Sequence, residues 1–140
     1  MADTLRLRVV TPERLLLDEE VNEVTAPGTV GEFGVLPHHI TFLSSLRPGC
    51  LTYKQGARAR TLAIGGGFAE VVNDVMTVLA DSAEFAEEID LEEARRVLRV
   101  TEARLQQIAI NDPGFVDVEL AHLRARARVE AAGRGGAQRG

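Results

Sequence analysis

Up to about Ala80 the apolar residues recur at every second position or in short runs, and turn residues divide the runs. Leu5, Leu7 and Val9 alternate with Arg6 and Arg8, the period of a half-buried strand. Pro12 closes that strand, and a further one over Val21 to Ala26 runs into a Pro27-Gly28 turn. Cys50 to Tyr53 and Thr61 to Ile64 flank Lys54 to Arg58, which contains Gly56 and reads as the loop of a hairpin. Phe68 to Val72 and Val75 to Ala80 make a second hairpin about Asn73-Asp74. Short strands with one apolar face each, spaced by turns, predict two sheets packed face to face.

After Ala80 the period changes. Asp90 followed by Glu93 is a capping-box spacing, in which the aspartate accepts from a free backbone N–H and the glutamate reaches back. Leu91, Ala94, Leu98, Leu105 and Ile108 then fall on one helical face. Asn111-Asp112-Pro113-Gly114 ends that helix, because proline cannot continue it. Val116, Leu120, Leu123 and Ala127 begin a second helix, so the pair is predicted to be an antiparallel hairpin. Its second helix leans on alanine, which buries little area, so modest attachment to the sheets is expected. The predicted organisation is an N-terminal antiparallel β-sandwich over residues 1–86, an α-helical hairpin over 87–132 and a tail over 133–140. The tail is too poor in apolar surface to offset its ordering entropy and is predicted to be disordered.

Charge divides the chain in the same place. Residues 1–90 carry 14 acidic and 7 basic side chains, a balance of −7, whereas residues 91–140 carry 7 and 9, a balance of +2. Arg124, Arg126, Arg128, Arg134 and Arg139 stand against Glu130 alone after Ala121, so this end is drawn to acidic surfaces. Aromatic residues make up 4% with no tryptophan, too few for a nucleic-acid stacking platform. No apolar run reaches the roughly 18 residues of a membrane span, and Met1 to Thr4 lack the start of a signal peptide. A soluble, cytoplasmic chain is the expectation, and the single Cys50 agrees with a reducing compartment.

Candidate chemistry is sparse. No Ser-His-Asp or Cys-His set is apparent, and His38 and His39, being adjacent, point to opposite sides of an extended chain and would not share one metal. Cys50 reads as a small buried hydrophobe. Gly65-Gly66-Gly67 follows a strand but precedes another strand, with no Lys-Ser/Thr after it, so it reads as a bend or bulge and not a phosphate loop. Gly31-Glu32-Phe33-Gly34 differs in kind: two glycines bracket an acid and an aromatic, a pattern that presents Glu32 and Phe33 outward on a tight loop.

The run Val30 to His39, with Phe42-Leu43 and Arg47-Pro48-Gly49 after it, closely resembles the epsilon subunit of F-type ATP synthase. Ala63 to Val71 and Val75 to Ala83 resemble a second block of that family, and the resemblance is continuous from about Leu5 to Arg95. It implies a non-catalytic subunit of the rotating central stalk, peripheral on the cytoplasmic face of the bacterial plasma membrane. Its sandwich is expected to bind the gamma subunit and rest on the c ring, coupling proton-driven rotation to ATP synthesis. By match to the family's motif, Gly31, Glu32, Phe33, Gly34 and His39 are the expected ring contacts. The family commonly reads Pro-Gly-His where this chain has Pro37-His38-His39.

The resemblance further implies a hairpin that extends toward the alpha and beta subunits and restrains ATP hydrolysis, with Arg124, Arg126 and Arg128 facing acidic beta-subunit surface. Some family members bind ATP at the first helix. Here Leu91 to Arg96 carries Glu92 in place of the family's aspartate and Arg96 in place of its alanine, leaving Glu92 and Arg95 as candidates. No cofactor is otherwise expected. Two competing readings are an ATP-sensing, ligand-binding sandwich and an enzyme using His39 with Glu32, the latter lacking a third catalytic group.

Overall fold

Alternation sets the strands, and two long bent strands join the layers. The computed structural model describes residues 3–139, with side chains through Gly135. Its strands are β1 (Leu5–Val10), β2 (Leu15–Val21), β3 (Glu23–Gly28), β4 (Gly31–Val35), β5 (Phe42–Gln55), β6 (Arg58–Val72), β7 (Val75–Ala80) and β8 (Ala83–Phe85). A short 3-10 turn (Ala86–Glu88) leads to α1 (Leu91–Gln107) and α2 (Phe115–Arg139). The hydrogen-bonded path runs β2-β1-β7-β6-β5-β3-β4, with β8 added to β6. Every pairing is antiparallel except β1 with β7.

The path folds over on itself at β5 and β6. Residues 62–64 of β6 pair with β8, whereas residues 67–72 pair with β7, so the strand changes partners across Gly65-Gly66-Gly67. Gly67 holds φ 139°, and a Cβ there would lie 2.1 Å from the Leu79 carbonyl oxygen. Only glycine fits this bend. The halves of β5 and β6 therefore belong to different layers, and both layers supply one core: Leu7, Val21, Val24, Leu51, Leu62, Ile64, Val71 and Met76 are fully buried in it.

The β6–β7 hairpin turns at Asn73-Asp74, both in the left-handed region at φ 50° and 61°, the geometry of a two-residue hairpin. The other predicted hairpin is longer than expected, and β2 was not predicted at all. Its Leu15-Leu16-Leu17-Asp18-Glu19-Glu20 run does not alternate, and pairing with β1 makes it a strand. Asp18 lies opposite Arg8 in register, 3.9 Å from its Nε, and accepts from the diagonal Arg6 Nε at 2.6 Å.

Asp90 caps α1, accepting from the Glu93 N–H at 3.2 Å. Glu93 uses its side chain elsewhere, reaching Arg128 at 3.4 Å. The expected second-helix pattern holds at Ala127, which is buried, and is corrected at Val116, which is exposed, while Val118, Ala125 and Ala131 also face inward. The expectation of a disordered 133–140 tail is also overturned, because α2 continues through Arg139; Gly140 lies outside the described residues. The reason is close packing without side chains. Gly135 is buried, and a Cβ there would come 2.7 Å from the Ala86 Cβ. Burial of a glycine backbone against a methyl group is invisible to an apolar-residue count.

Candidate functional site

At the tip of the β3–β4 hairpin Val30 is fully exposed, and β4 forms one end of the sheet path. Glu32 and Gly34 are exposed, paired with Pro27 and Thr25 of β3. Phe33 does not follow them outward. A strand sends neighbouring side chains to opposite faces, so Phe33 packs against the core, with its ring edge-on to Phe42 at 5.1 Å. The expected loop presenting both residues is thus an edge strand presenting Glu32 alone. His39 stacks edge-on to the same Phe42 at 5.6 Å, and its Nδ1 lies 2.8 Å from the Ile40 carbonyl oxygen. Phe42, between Phe33 and His39, is the residue that organises this end.

The neighbouring His38 serves a different purpose. It adopts φ 67°, a left-handed conformation in which a non-glycine residue is strained. Its N–H donates to Asp74 Oδ1 at 2.6 Å, and its ring nitrogens lie 3.4 Å from Asp74 Oδ2 and 3.5 Å from Asp3 Oδ2. These contacts offset the strain of the turn.

The register of β5, β6 and β7 creates a second feature, which sequence reasoning missed. Ser45, Phe68 and Leu79 are directly opposite one another across the three strands, and Leu43, Glu70 and Thr77 form the adjoining row. Their inward neighbours Ala69 and Val78 are buried, so this grid faces out. Leu43 is 71% exposed, Phe68 57% and Leu79 55%, and with Ala69, Glu70 and Thr77 they line a shallow cavity of about 150 Å³. Strand parity about Asn73-Asp74 already places Phe68 and Leu79 on the outward face.

The hairpin lies on the opposite layer. Cys50 and Ala63 are paired in register with their side chains away from the main core, and with Ala86, Ile89, Ala94 and Ala131 they make a second buried cluster. The Cys50 thiol donates weakly to the Ala127 carbonyl oxygen at 3.8 Å, and burial pushes it up to about 11.

Arg124 and Arg128, expected to reach another subunit, are engaged within this chain. Arg124 Nε donates to the Gly65 carbonyl oxygen at 3.0 Å, and its Nη2 lies 3.8 Å from Asp81. Arg128 grips Glu84 with two nitrogens, at 3.0 and 3.2 Å, and reaches Glu93 at 3.4 Å. The Glu84 hydrogen bonds raise its guanidinium above the ordinary arginine range. Arg126 is exposed beside Leu98, Glu102 and His122. Glu92 and Arg95 are exposed on α1 and pair with each other at 3.8 Å. Among the described residues no group of three or more acidic, histidine or cysteine side chains is placed to hold a metal, and no helix is long and apolar enough to cross a membrane.

Residues 4–86 match the family described as ATP synthase, Delta/Epsilon chain, beta-sandwich domain. The chain is 46% identical over 136 residues to the ATP synthase epsilon chain of Geotalea daltonii, covering 97% of this chain and 99% of that one. It is 55% identical over 96 residues to the corresponding chain of Nitratidesulfovibrio vulgaris, covering 69% and 72% of the two. Among solved structures it is similar to a chain in the Euglena gracilis mitochondrial ATP synthase OSCP/F1/c-ring assembly, with TM-score 0.78, 28% identity and coverage of 92% and 81%. Sandwich, hairpin, motif and relatives agree, and the chain belongs to the epsilon-subunit family of F-type ATP synthases.

Proposed function

We propose that this chain is a non-catalytic central-stalk subunit whose sandwich joins the gamma subunit to the c ring and couples proton-driven rotation to ATP synthesis. The observation that carries the reading is the outward grid around Leu43, Phe68 and Leu79. Phe68 and Leu79 opposite each other in register, with Leu43 in the adjoining row, give three large exposed apolar side chains on one sheet face, the kind of surface a protein partner covers. We assign that face to gamma. The β3–β4 end, with Gly31, Glu32, Gly34 and the bare Val30, is assigned to the polar loops of the c ring, while Phe33 and His39 support it through Phe42. The hairpin, extended toward alpha and beta, restrains ATP hydrolysis through Arg124, Arg126 and Arg128. No cofactor is required in this reading, and Glu92 and Arg95 are the groups at which a regulatory ATP is to be sought. The subunit sits peripherally, on the cytoplasmic face of the bacterial plasma membrane.

Glu32→Arg tests the ring-end assignment. Its side chain is exposed and makes no contribution to the core. Proton pumping by the reconstituted complex is expected to fall while the melting temperature of the isolated chain holds. Equal loss of both would place Glu32 in the fold instead.

A further inference from the structure

We propose that Arg124 and Arg128 latch the hairpin to the sandwich, and that the hairpin engages an acidic protein surface only by moving these same two guanidinium groups off Gly65, Asp81, Glu84 and Glu93. The proposal rests on the reading of the hairpin as an arm that leaves the sandwich. It adds what holds the arm down and what must be exchanged to release it.

The two arginines are one helical turn apart on α2, and each reaches the sandwich. Arg124 meets the Gly65 carbonyl oxygen on β6 and Asp81 in the β7–β8 turn. Arg128 meets Glu84 on β8 with both arms of its fork, and Glu93 on α1 with the remaining nitrogen. Arg128 thus ties α2 to the sheet and to its partner helix at once. The fork geometry makes this the strong kind of ion pair, and the Arg128 side chain is largely shielded, at 24% exposure.

The apolar part of the same contact is thin. Cys50, Ala63, Ala86, Ala94 and Ala131 are small and each removes little area from water, while Ile89 and the partly buried Val129 are the larger members. The polar contacts therefore add to a modest apolar one. A fork on a carboxylate is also the contact an acidic surface offers in return, so the two states compete for one pair of groups. Arg126, exposed between them on the other side of α2, meets solvent while the arm is down.

Cys50 is the chain's only cysteine and lies beneath Ala127 at the centre of the contact, so its labelling rate reports opening of the full-length protein. With an aromatic disulfide reagent at pH 8, Arg128→Gln is expected to label roughly tenfold faster than the unaltered chain, as for loss of a partly shielded charge-assisted fork. Arg126→Gln should label at the unaltered rate. In a Glu93→Gln background, Glu84→Arg combined with Arg128→Glu should return the rate toward that of Glu93→Gln alone, because the Glu84 pair is rebuilt with its charges exchanged and position 93 no longer repels the new carboxylate. Raising sodium chloride should accelerate labelling of the unaltered chain more than that of Arg128→Gln.

Labelling of Arg128→Gln at the unaltered rate would overturn the proposal. So would equal acceleration by Arg126→Gln, which would make the effect one of net charge. Faster hydrogen exchange of the sandwich amides around Leu51 and Leu62 in Arg128→Gln would also overturn it, since the sheet rather than the arm would then be opening. None of these readouts involves ATP hydrolysis. An arm that unlatches as described but leaves hydrolysis untouched would defeat the inhibitory reading and leave the latch standing.

Discussion

Phe68→Ala separates the outer sheet face from the core behind it. In the free chain this ring leaves 57% of its surface in water. Moving a whole phenylalanine side chain out of water contributes about 1.5–3 kcal/mol, so covering the exposed share by a partner contributes about 1–2 kcal/mol. Truncation should therefore raise the Kd for the gamma subunit about five- to thirtyfold. The share already shielded within the fold is smaller, and its loss should lower stability by only about 1 kcal/mol. Leu79, directly opposite in register and 55% exposed, should behave alike, but the two side chains adjoin, so their effects will not simply add. Titration calorimetry against gamma, with urea denaturation of the same samples, reads both quantities. An unchanged Kd beside a stability loss of 3–5 kcal/mol, the range for a core phenylalanine, would refute the reasoning.

Gly67→Ala should cost about 3 kcal/mol or more, since the residue holds φ 139° and its Cβ would meet the Leu79 carbonyl oxygen at 2.1 Å; a urea midpoint within error of the unaltered chain would contradict the bend. Asp90→Ala removes the cap on α1 and should cost about 1 kcal/mol, seen as faster hydrogen exchange in the first turn of that helix with the sheet amides unchanged. The Cys50 thiol, raised from 9.0 to about 11 by burial, stays protonated in the docked state at pH values where an exposed thiol ionises. Stability from this group is therefore complete below about pH 9 and is lost as the pH rises toward 11. The thermal midpoint should fall over that window, and the fall should vanish in Cys50→Ala.

What could be read in advance follows from what pattern encodes. The β6–β7 hairpin was legible because Phe68 to Ala80 alternates on both sides of two turn residues, and the Asp90 cap because its spacing is local. The full lengths of β5 and β6 were not, because Arg47-Pro48-Gly49 and Gly65-Gly66-Gly67 look like ends of strands. In the fold they are bends, and pairing on both sides carries the chain through them. The Gly31-Glu32-Phe33-Gly34 motif was legible as a segment but not in its orientation: only the strand period of β4 turns Phe33 inward while Glu32 stays out. The arginines of α2 were legible as a basic face. Their partners Glu84 and Asp81 lie some forty residues away in sequence, and nothing local to either segment announces the pairing. The helix beyond Gly133 was missed because Gly135 packs against Ala86 by having no side chain, which an apolar-residue count does not register.

The central claim is that the sandwich holds this subunit in the rotor while the hairpin acts on hydrolysis. ATP hydrolysis by the parent complex, reconstituted with the full chain and separately with a chain ending at Glu88, tests it most directly, with the amount of bound subunit measured in each case. Both chains are expected to bind equally, and the shortened one to give the faster hydrolysis. Equal binding with an unchanged rate would contradict the inhibitory role of the hairpin, and failure of the shortened chain to bind would contradict the assignment of the contacts to the sandwich.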